Sequence, residues 1–455
     1  MNRGPIQFRN RESGAAARGA ARLLLAALLL SASAVLGADR GLSLPDAVDE
    51  MLQRNPDIRI AENRLRESEA LIQQADSAIW PKISFQSVYS RTDNPVGVFG
   101  AALNQRSFGP TLNFNDVPDA DNLLLRGALV APLHTGGEIA SARTAARESS
   151  AAAAQSARAL REQMIFEVTR LFYVIARADG FVEAAEAATR SFRENIDIAR
   201  KRLDSGKALK TDVLDLEVRL AQAEADVVAA RSGAQIARKA LGSLLGRENG
   251  EVEIVKASDM LDVAGDVKPA LRAELQALAR HGSAAKAGVR QARSGRYPKL
   301  SAFIHGDHNR GWKFNGYSQS YTAGIMANWN VWDGKLTRGK VAEAEAKAAS
   351  ITEQERRLRL QIDFEVEQAR LNTGAATERL QAAIKAVKLA EESASLTRVR
   401  FEQGLALSTQ LIDVETALTG ARVRREQARA DRNIAIATLR HALGLPQVED
   451  TKETK

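Results

Sequence analysis

The stretch from Leu44 to Ile79 carries charge along much of its surface and predicts one helix that ends where Pro81 cannot continue it. After that proline the pattern changes to period two. Ile83, Phe85, Ser87 and Tyr89 alternate with Ser84, Gln86, Val88 and Ser90, and Leu125, Gly127, Leu129, Ala131 and Leu133 share one face further on. Leu300, Ala302 and Ile304 alternate after Pro298, and Tyr321, Ala323, Ile325, Ala327, Trp329 and Val331 alternate with Thr322, Gly324, Met326, Asn328 and Asn330. These runs predict strands with one apolar face. Each is about ten residues, close to the roughly 9 to 11 that a tilted strand needs to cross a bilayer, although a soluble sheet with one buried face gives the same pattern.

From Gly137 to about Leu203 there is no proline, and Ala, Arg, Glu and Gln dominate. At about 1.5 Å per residue this predicts a helix roughly 100 Å long, which must pack against other helices along its length. The helix before Pro81 and the one after Gly206 would sum to a similar length if stacked end to end. A wall in which one continuous helix lies beside two shorter ones follows.

The pattern occurs twice. QADSAIWPKIS, from Gln74, returns as QARSGRYPKLS, from Gln291, at a shift of 217 residues that places Pro81 on Pro298 and Trp80 on Tyr297. Beyond the strands the shift becomes 198 and holds from Gly136/Gly334 through Gly206/Gly404 to Gly246/Gly444, matching Arg202 to Arg400, Asp215 to Asp413 and Glu217 to Glu415. The difference of 19 residues falls in the first copy, in the Asn-, Asp-, Pro- and Gly-rich span Arg91 to Asn122, which predicts an exposed loop. The expected organisation is a signal peptide at 1–38, a first repeat at 39–246, an inter-repeat linker at 247–268, a second repeat at 269–445 and a polar tail at 446–455. The expected fold class is an α+β membrane protein, with a long helical barrel continuous with a transmembrane β-barrel to which each protomer gives four strands. Four strands cannot close such a barrel, because the smallest have about eight, and an open edge cannot face lipid. If the strands lie in a membrane, several protomers must pool them.

Composition adds less. Five arginines precede the apolar run Leu23 to Ala38, the layout of a secretory signal peptide cleaved after Ala38 or Ala34; as a membrane anchor the run is short of the roughly 20 residues required. Without residues 1–38 the formal charge falls from +8 to about +4, so basicity gives no argument for nucleic acid. The chain has no cysteine, which excludes disulfides, thiolate metal sites and a thiol nucleophile. HGDH, His305 to His308, has the residue types of a metal cluster, but it is expected at a strand end with its other histidines scattered, and no metal, cofactor or enzymatic activity is expected. Trp80, Tyr297, Trp329 and Trp332 fall at the ends of expected strands, where a membrane interface holds aromatics, with simple core packing as the alternative for Trp332.

The segments NPDIRIAENRLRESEALIQQADSAIWPKIS, APLHTGGE, RLDSGKALKTDVLDLE, LLG, NWNVWDGK and RFEQGLALSTQLIDVE, in this order and duplicated, resemble the TolC family of outer-membrane efflux and secretion channels. The resemblance covers essentially all of the chain after the signal segment. It implies a homotrimer in outer-membrane lipid, with twelve strands and twelve helices, acting as exit duct for a periplasmic adaptor and an inner-membrane pump or ABC transporter. It also places the tip turns and adaptor docking at Gly206, Gly404 and Leu405, and a periplasmic constriction at Asp212, Asp215, Gln410 and Asp413. Gln410 departs from the acidic ring of the family's best-known member, and Phe401 and Ala406 stand where that member has a Tyr and an Arg that hold it closed. The same acids also suit the first turn of a helix for its dipole alone. The junction Trp80, Pro81, Tyr297 and Pro298 is implied to be the seam between tunnel and barrel. A soluble periplasmic coiled-coil adaptor or scaffold is the alternative.

Overall fold

The structure is a computed structural model that describes residues 41–110, 113, 115–250, 252–263, 265, 267 and 269–448. The expected signal segment and all but the start of the polar tail lie outside the described residues.

Ser43 caps α1 (Leu44–Arg54) and Asn55 caps α2 (Pro56–Ser77), accepting from the backbone of Asp57 at 2.7 Å and Ile58 at 3.3 Å. The single helix expected over 44–79 is therefore two. Pro56, at the first position of α2, has no N–H to offer the preceding turn, and Asn55 supplies the acceptor for a new start. The strand β1 (Lys82–Thr92) follows. The span expected as a loop holds a short helix, α3 (Pro95–Asn104), capped by Asn94 and anchored by the buried Val98 and Ala102. Then come β2 (Ala120–His134), the long helix α4 (Glu138–Asp204) and α5 (Lys210–Leu244). The second copy gives α6 (Ala273–Arg293), β3 (Lys299–Arg310), β4 (Tyr317–Asn328), α7 (Leu336–Glu402) and α8 (Ser408–Ala442). The strand β4 stops at Asn328, so Trp329 and Val331 lie beyond it.

The four strands form one antiparallel sheet in chain order, β1-β2-β3-β4. The helices repeat that order. The long helix α4 packs along α2 and α5 on one flank and along α6 and α8 on the other, and α7 lies outside α6 and α8. Continuous helices thus alternate with stacked pairs, as the lengths predicted. In the first pair the stack is joined by the Asn55 side chain, which donates to the Leu244 carbonyl at the end of α5 at 2.7 Å. Gly246 turns the chain there at φ 78°, and a Cβ on it would stand 2.8 Å from the Arg54 carbonyl oxygen, so glycine is required on both grounds. The second stack is closed by Ala270 N–H donating to the Leu443 carbonyl at 2.9 Å, beside Gly444 at the matching position.

Apolar packing gathers at this belt and at the far tips. Met51, Ile58, Val168, Ile175, Leu241 and Leu245 fill the belt of the first copy, and Phe192, Ile196, Val213, Leu216, Phe401 and Leu411 fill the tips. Alanines such as Ala199, Ala223, Ala369 and Ala376 occupy much of the contact between helices and let the rods approach closely.

Candidate functional site

Each tip is a five-residue turn between a long and a short helix, Ser205 to Leu209 and Gln403 to Leu407. Gly206, at φ 73°, and Gly404, at φ 82°, end the long helices in the left-handed conformation. Lys207 N–H closes onto the Arg202 carbonyl at 2.8 Å and Leu405 N–H onto the Arg400 carbonyl at 2.7 Å. The short helices start on matching caps: an Asp212 carboxylate oxygen accepts from Leu209 N–H at 2.9 Å, and the Gln410 side-chain oxygen accepts from Leu407 N–H at 3.2 Å. Leu209, Leu405 and Leu407 are exposed, so the tips carry apolar side chains into solvent.

The aperture candidates differ in their surroundings. Asp215 and Asp413 are exposed one turn into α5 and α8, as is Gln410. Asp212 is half-buried, and its second oxygen accepts from the Ser408 hydroxyl at 2.7 Å, tying the start of α5 to the start of α8. Two further links between the copies were not found from sequence. The Arg202 guanidinium donates to the Phe401 carbonyl at 2.5 Å and to the Lys207 carbonyl at 3.0 Å, while lying 4.8 Å from the Phe401 ring centroid. Glu415 is 2% exposed, 2.6 Å from Arg398, and accepts from the Asn195 amide at 3.3 Å. A signal for the second existed: Glu415 shares a face of α8 with the buried Leu411 and Leu418, where a carboxylate needs a partner.

The sheet register sorts the strands into two faces. Gln86, Arg126, Asp307 and Ser320 form one row, and Ser84, His305 and Thr322 share that polar face. The opposite face carries Ile83, Phe85, Leu125, Leu129, Ile304, Tyr321 and Ile325. Ile83, Phe85, Tyr321 and Ile325 are largely exposed, so this apolar face is not covered within one protomer. A sheet with one polar face and one bare apolar face suits lipid. On the polar face Arg126 meets Asp307 through two hydrogen bonds of 2.6 and 2.8 Å. HGDH lies within β3, two residues short of its end at Arg310, and the three-residue spacing sends His305 and His308 to opposite faces. They cannot meet at one ion.

At the junction Trp80 and Tyr297 are more than half exposed, next to Pro81 and Pro298. The Trp329 indole donates to the Arg296 carbonyl at 3.2 Å, and Lys299 at the base of β3 pairs with Glu138 at the start of α4. Trp332 is 79% exposed, which removes core packing within the chain as its role. None of the described helices is long and apolar enough to cross a membrane.

The model of the outer membrane efflux protein family matches residues 47–247 and 269–445, most of the chain. The chain belongs to the outer membrane efflux protein family. The two matched spans are separated by residues 248–268. As a member of that family it is placed in the outer membrane, extending into the periplasm. It is 21% identical over 297 residues to the alkaline protease secretion protein AprF of Pseudomonas aeruginosa, a match covering 62% of each chain. It is 26% identical over 223 residues to the fusaric acid resistance protein FusA of Burkholderia cepacia, covering 48% of this chain and 40% of that one. The chain thus matches about three fifths of the first relative and two fifths of the second. Its fold is similar to the outer membrane protein VceC of Vibrio cholerae, with a TM-score of 0.76 at 18% identity, covering 89% of this chain and 97% of that one.

Proposed function

We propose that three copies of this chain form a passive exit duct for a tripartite efflux pump or a type I secretion system. The observation that carries this reading is the shared order of helices and strands, which leaves two unlike edges on one protomer. One edge is β1 with the stack of α2 and α5, where Leu71, Val218, Val228 and Ile236 are exposed. The other is β4 with α7, where Phe364, Leu371, Leu389 and Leu396 are exposed. Unlike edges that each offer an unpaired strand and an apolar helix stripe join head to tail, and such contacts close into a ring. Three protomers give a barrel of twelve strands above a tunnel of twelve helix columns.

The polar sheet face then lines the barrel, the apolar face meets outer-membrane lipid, and Trp80 and Tyr297 sit at its periplasmic boundary. A periplasmic adaptor docks at the tips around Gly206, Gly404 and Leu405, and an inner-membrane pump or ABC transporter supplies energy. Asp413, with Asp215 and Gln410 beside it, forms the constriction, and Asp212 supports it through its bond to Ser408. Three carboxylates converging on a narrow axis attract cations and repel anions.

Planar-bilayer recording tests this. The purified protein is expected to fractionate with outer membranes, to migrate as a heat-modifiable oligomer and to conduct ions with cation preference. Asp413→Ala is expected to reduce that preference; an unchanged conductance and selectivity would remove Asp413 from the aperture. A monomer that stays soluble without detergent would sink the duct.

A further inference from the structure

The helix α3 lies in the span by which the first copy exceeds the second, and Pro95–Asn104 contains no charged side chain. It follows the end of β1 that is farthest from the long helices, and its contacts place it on the polar face of the sheet. The Gln105 amide, 1% exposed, donates to the Asp121 carbonyl at 2.6 Å and to the Asn122 side chain at 3.1 Å. Asn122 in turn donates to Asn309 at 2.8 Å, and both share the face of Arg126 and Asp307. A Cβ on Gly316, one position before Tyr317 and so on the polar side, would stand 2.7 Å from the Gln105 carbonyl oxygen. A Cβ on Gly97 would stand 2.9 Å from the methyl of Thr92, again on that side. At this end of the polar face Ala120 and Asn309 are buried, whereas Gln86 and Thr322, further down the same face, are exposed.

The helix has two unlike sides. Val98, Ala102 and then Gln105 follow at spacings of four and three and are buried where α3 packs on β2. Val96, Phe99 and Leu103 follow at three and four on the opposite side and are exposed, Val96 by 80%. An apolar stripe turned away from a polar sheet face looks toward the axis of a barrel that this face lines. Twelve strands about 4.8 Å apart and tilted by about 40° enclose a bore roughly 24 Å across between backbones. Three helices, each about 10 Å thick with side chains, need a ring of roughly 22 Å to lie side by side. Three copies of α3 at that mouth therefore touch, and the stripe of each is covered by the other two.

We propose that α3 of each of the three subunits packs against the other two at the outer mouth of the barrel through Val96, Phe99 and Leu103, forming an apolar collar that selects what leaves the duct. This rests on the ring assembly proposed above and adds to it a filter at the opposite end from Asp413. Hydrated ions meet a dewetted constriction there, whereas molecules with an apolar surface replace the contacts that they part. Only the first copy supplies the collar, since the second joins β3 to β4 through the short turn 311–316.

The chain has no cysteine, so one introduced thiol reports without background. Leu103→Cys oxidised with diamide is expected to run on denaturing gels as covalent dimer with leftover monomer and no covalent trimer, because three thiols at one axis form one disulfide and leave one thiol free. Phe99→Ser with Leu103→Ser, both at exposed positions, is expected to raise single-channel conductance in planar bilayers about two-fold. The same variant is expected to lower the permeability of tetrabutylammonium relative to potassium, since the large cation loses its apolar path. A rise in that ratio would mean that the stripe only narrows the bore, and overturns the selection. An α3 turned outward onto lipid gives no dimer and an unchanged conductance. The native mass separates the two levels: a three-chain mass with neither dimer nor conductance change overturns the collar alone, and a one-chain mass overturns the ring itself.

Discussion

Glu415 is the most buried charge at the tips, and its partners come from both copies: Arg398 on the same hairpin and Asn195 on α4. Removing it leaves Arg398, about a third exposed, with the Ser191 hydroxyl at 2.6 Å and Glu194 at 3.8 Å as its remaining partners. Glu415→Ala is expected to lower stability by about 2 kcal/mol, less than a fully buried pair because water reaches the guanidinium. Thermal unfolding in detergent followed by circular dichroism checks this, and Glu415→Ala with Arg398→Ala should show a loss smaller than the sum of the single changes. The candidate residues were partly legible. The turns at Gly206 and Gly404 were legible because repetition showed both glycines in one register, whereas an aperture role for Asp215 and Asp413 is implied by the family resemblance alone. Arg202 on Phe401 was not, since periodicity along one helix does not say which helix lies beside it, and the bond ends on a carbonyl that every residue has.

Among the elements, the joint between α5 and α2 depends on one side chain. Asn55 caps α2 and donates to Leu244, so Asn55→Ala removes both the cap and a partner for a half-buried carbonyl. A loss of about 1–2 kcal/mol is expected, with faster amide exchange at the start of α2 than at the tips. The belt also holds carboxylates with shifted titration. Hydrogen bonds from Arg247 hold Glu50 below its ordinary 4.5, and hydrogen bonds from Arg429 hold Asp259 below its ordinary 3.8. A depressed folded pKa contributes stability that is complete above the ordinary value and lost as pH falls through the folded one. Amide exchange beside Glu50 in α1, corrected for intrinsic rates, is therefore expected to accelerate as pH falls below 4.5, and Arg247→Ala should flatten the part due to Glu50. The break at Asn55 was present in the sequence as an Asn-Pro step, a cap followed by a first-turn proline. The helix α3 was hidden because its Pro and Gly content reads as a loop, and only the burial of Val98 and Ala102 makes ten residues helical.

For the whole molecule, the apolar stripe of α7 provides the test of assembly. A carboxylate at Phe364 or Leu371, both more than 60% exposed in the single chain, is harmless to a monomer and severe in a packed seam. Phe364→Asp with Leu371→Asp is expected to shift the detergent-solubilised mass from three chains to one, measured by light scattering, while the circular dichroism of one protomer is kept. The architecture as a whole was legible because strand period, helix length and duplication all constrain geometry directly. Which residues would be exposed in one protomer was not, since a stripe meant for a neighbour looks in sequence like any buried one.

The joints of the two stacked columns also give the tunnel a mechanical character. Both lie at one level, at Leu244 with Asn55 and at Leu443 with Ala270, while α4 and α7 run past that level unbroken. Half of the wall is therefore spring and half is hinge. Bending strain applied at the tips is carried upward by the continuous rods and relieved at the belt by the segmented ones. A tilt applied at the tips can then die out at the belt before it reaches the hydrogen-bond ladder of the four strands.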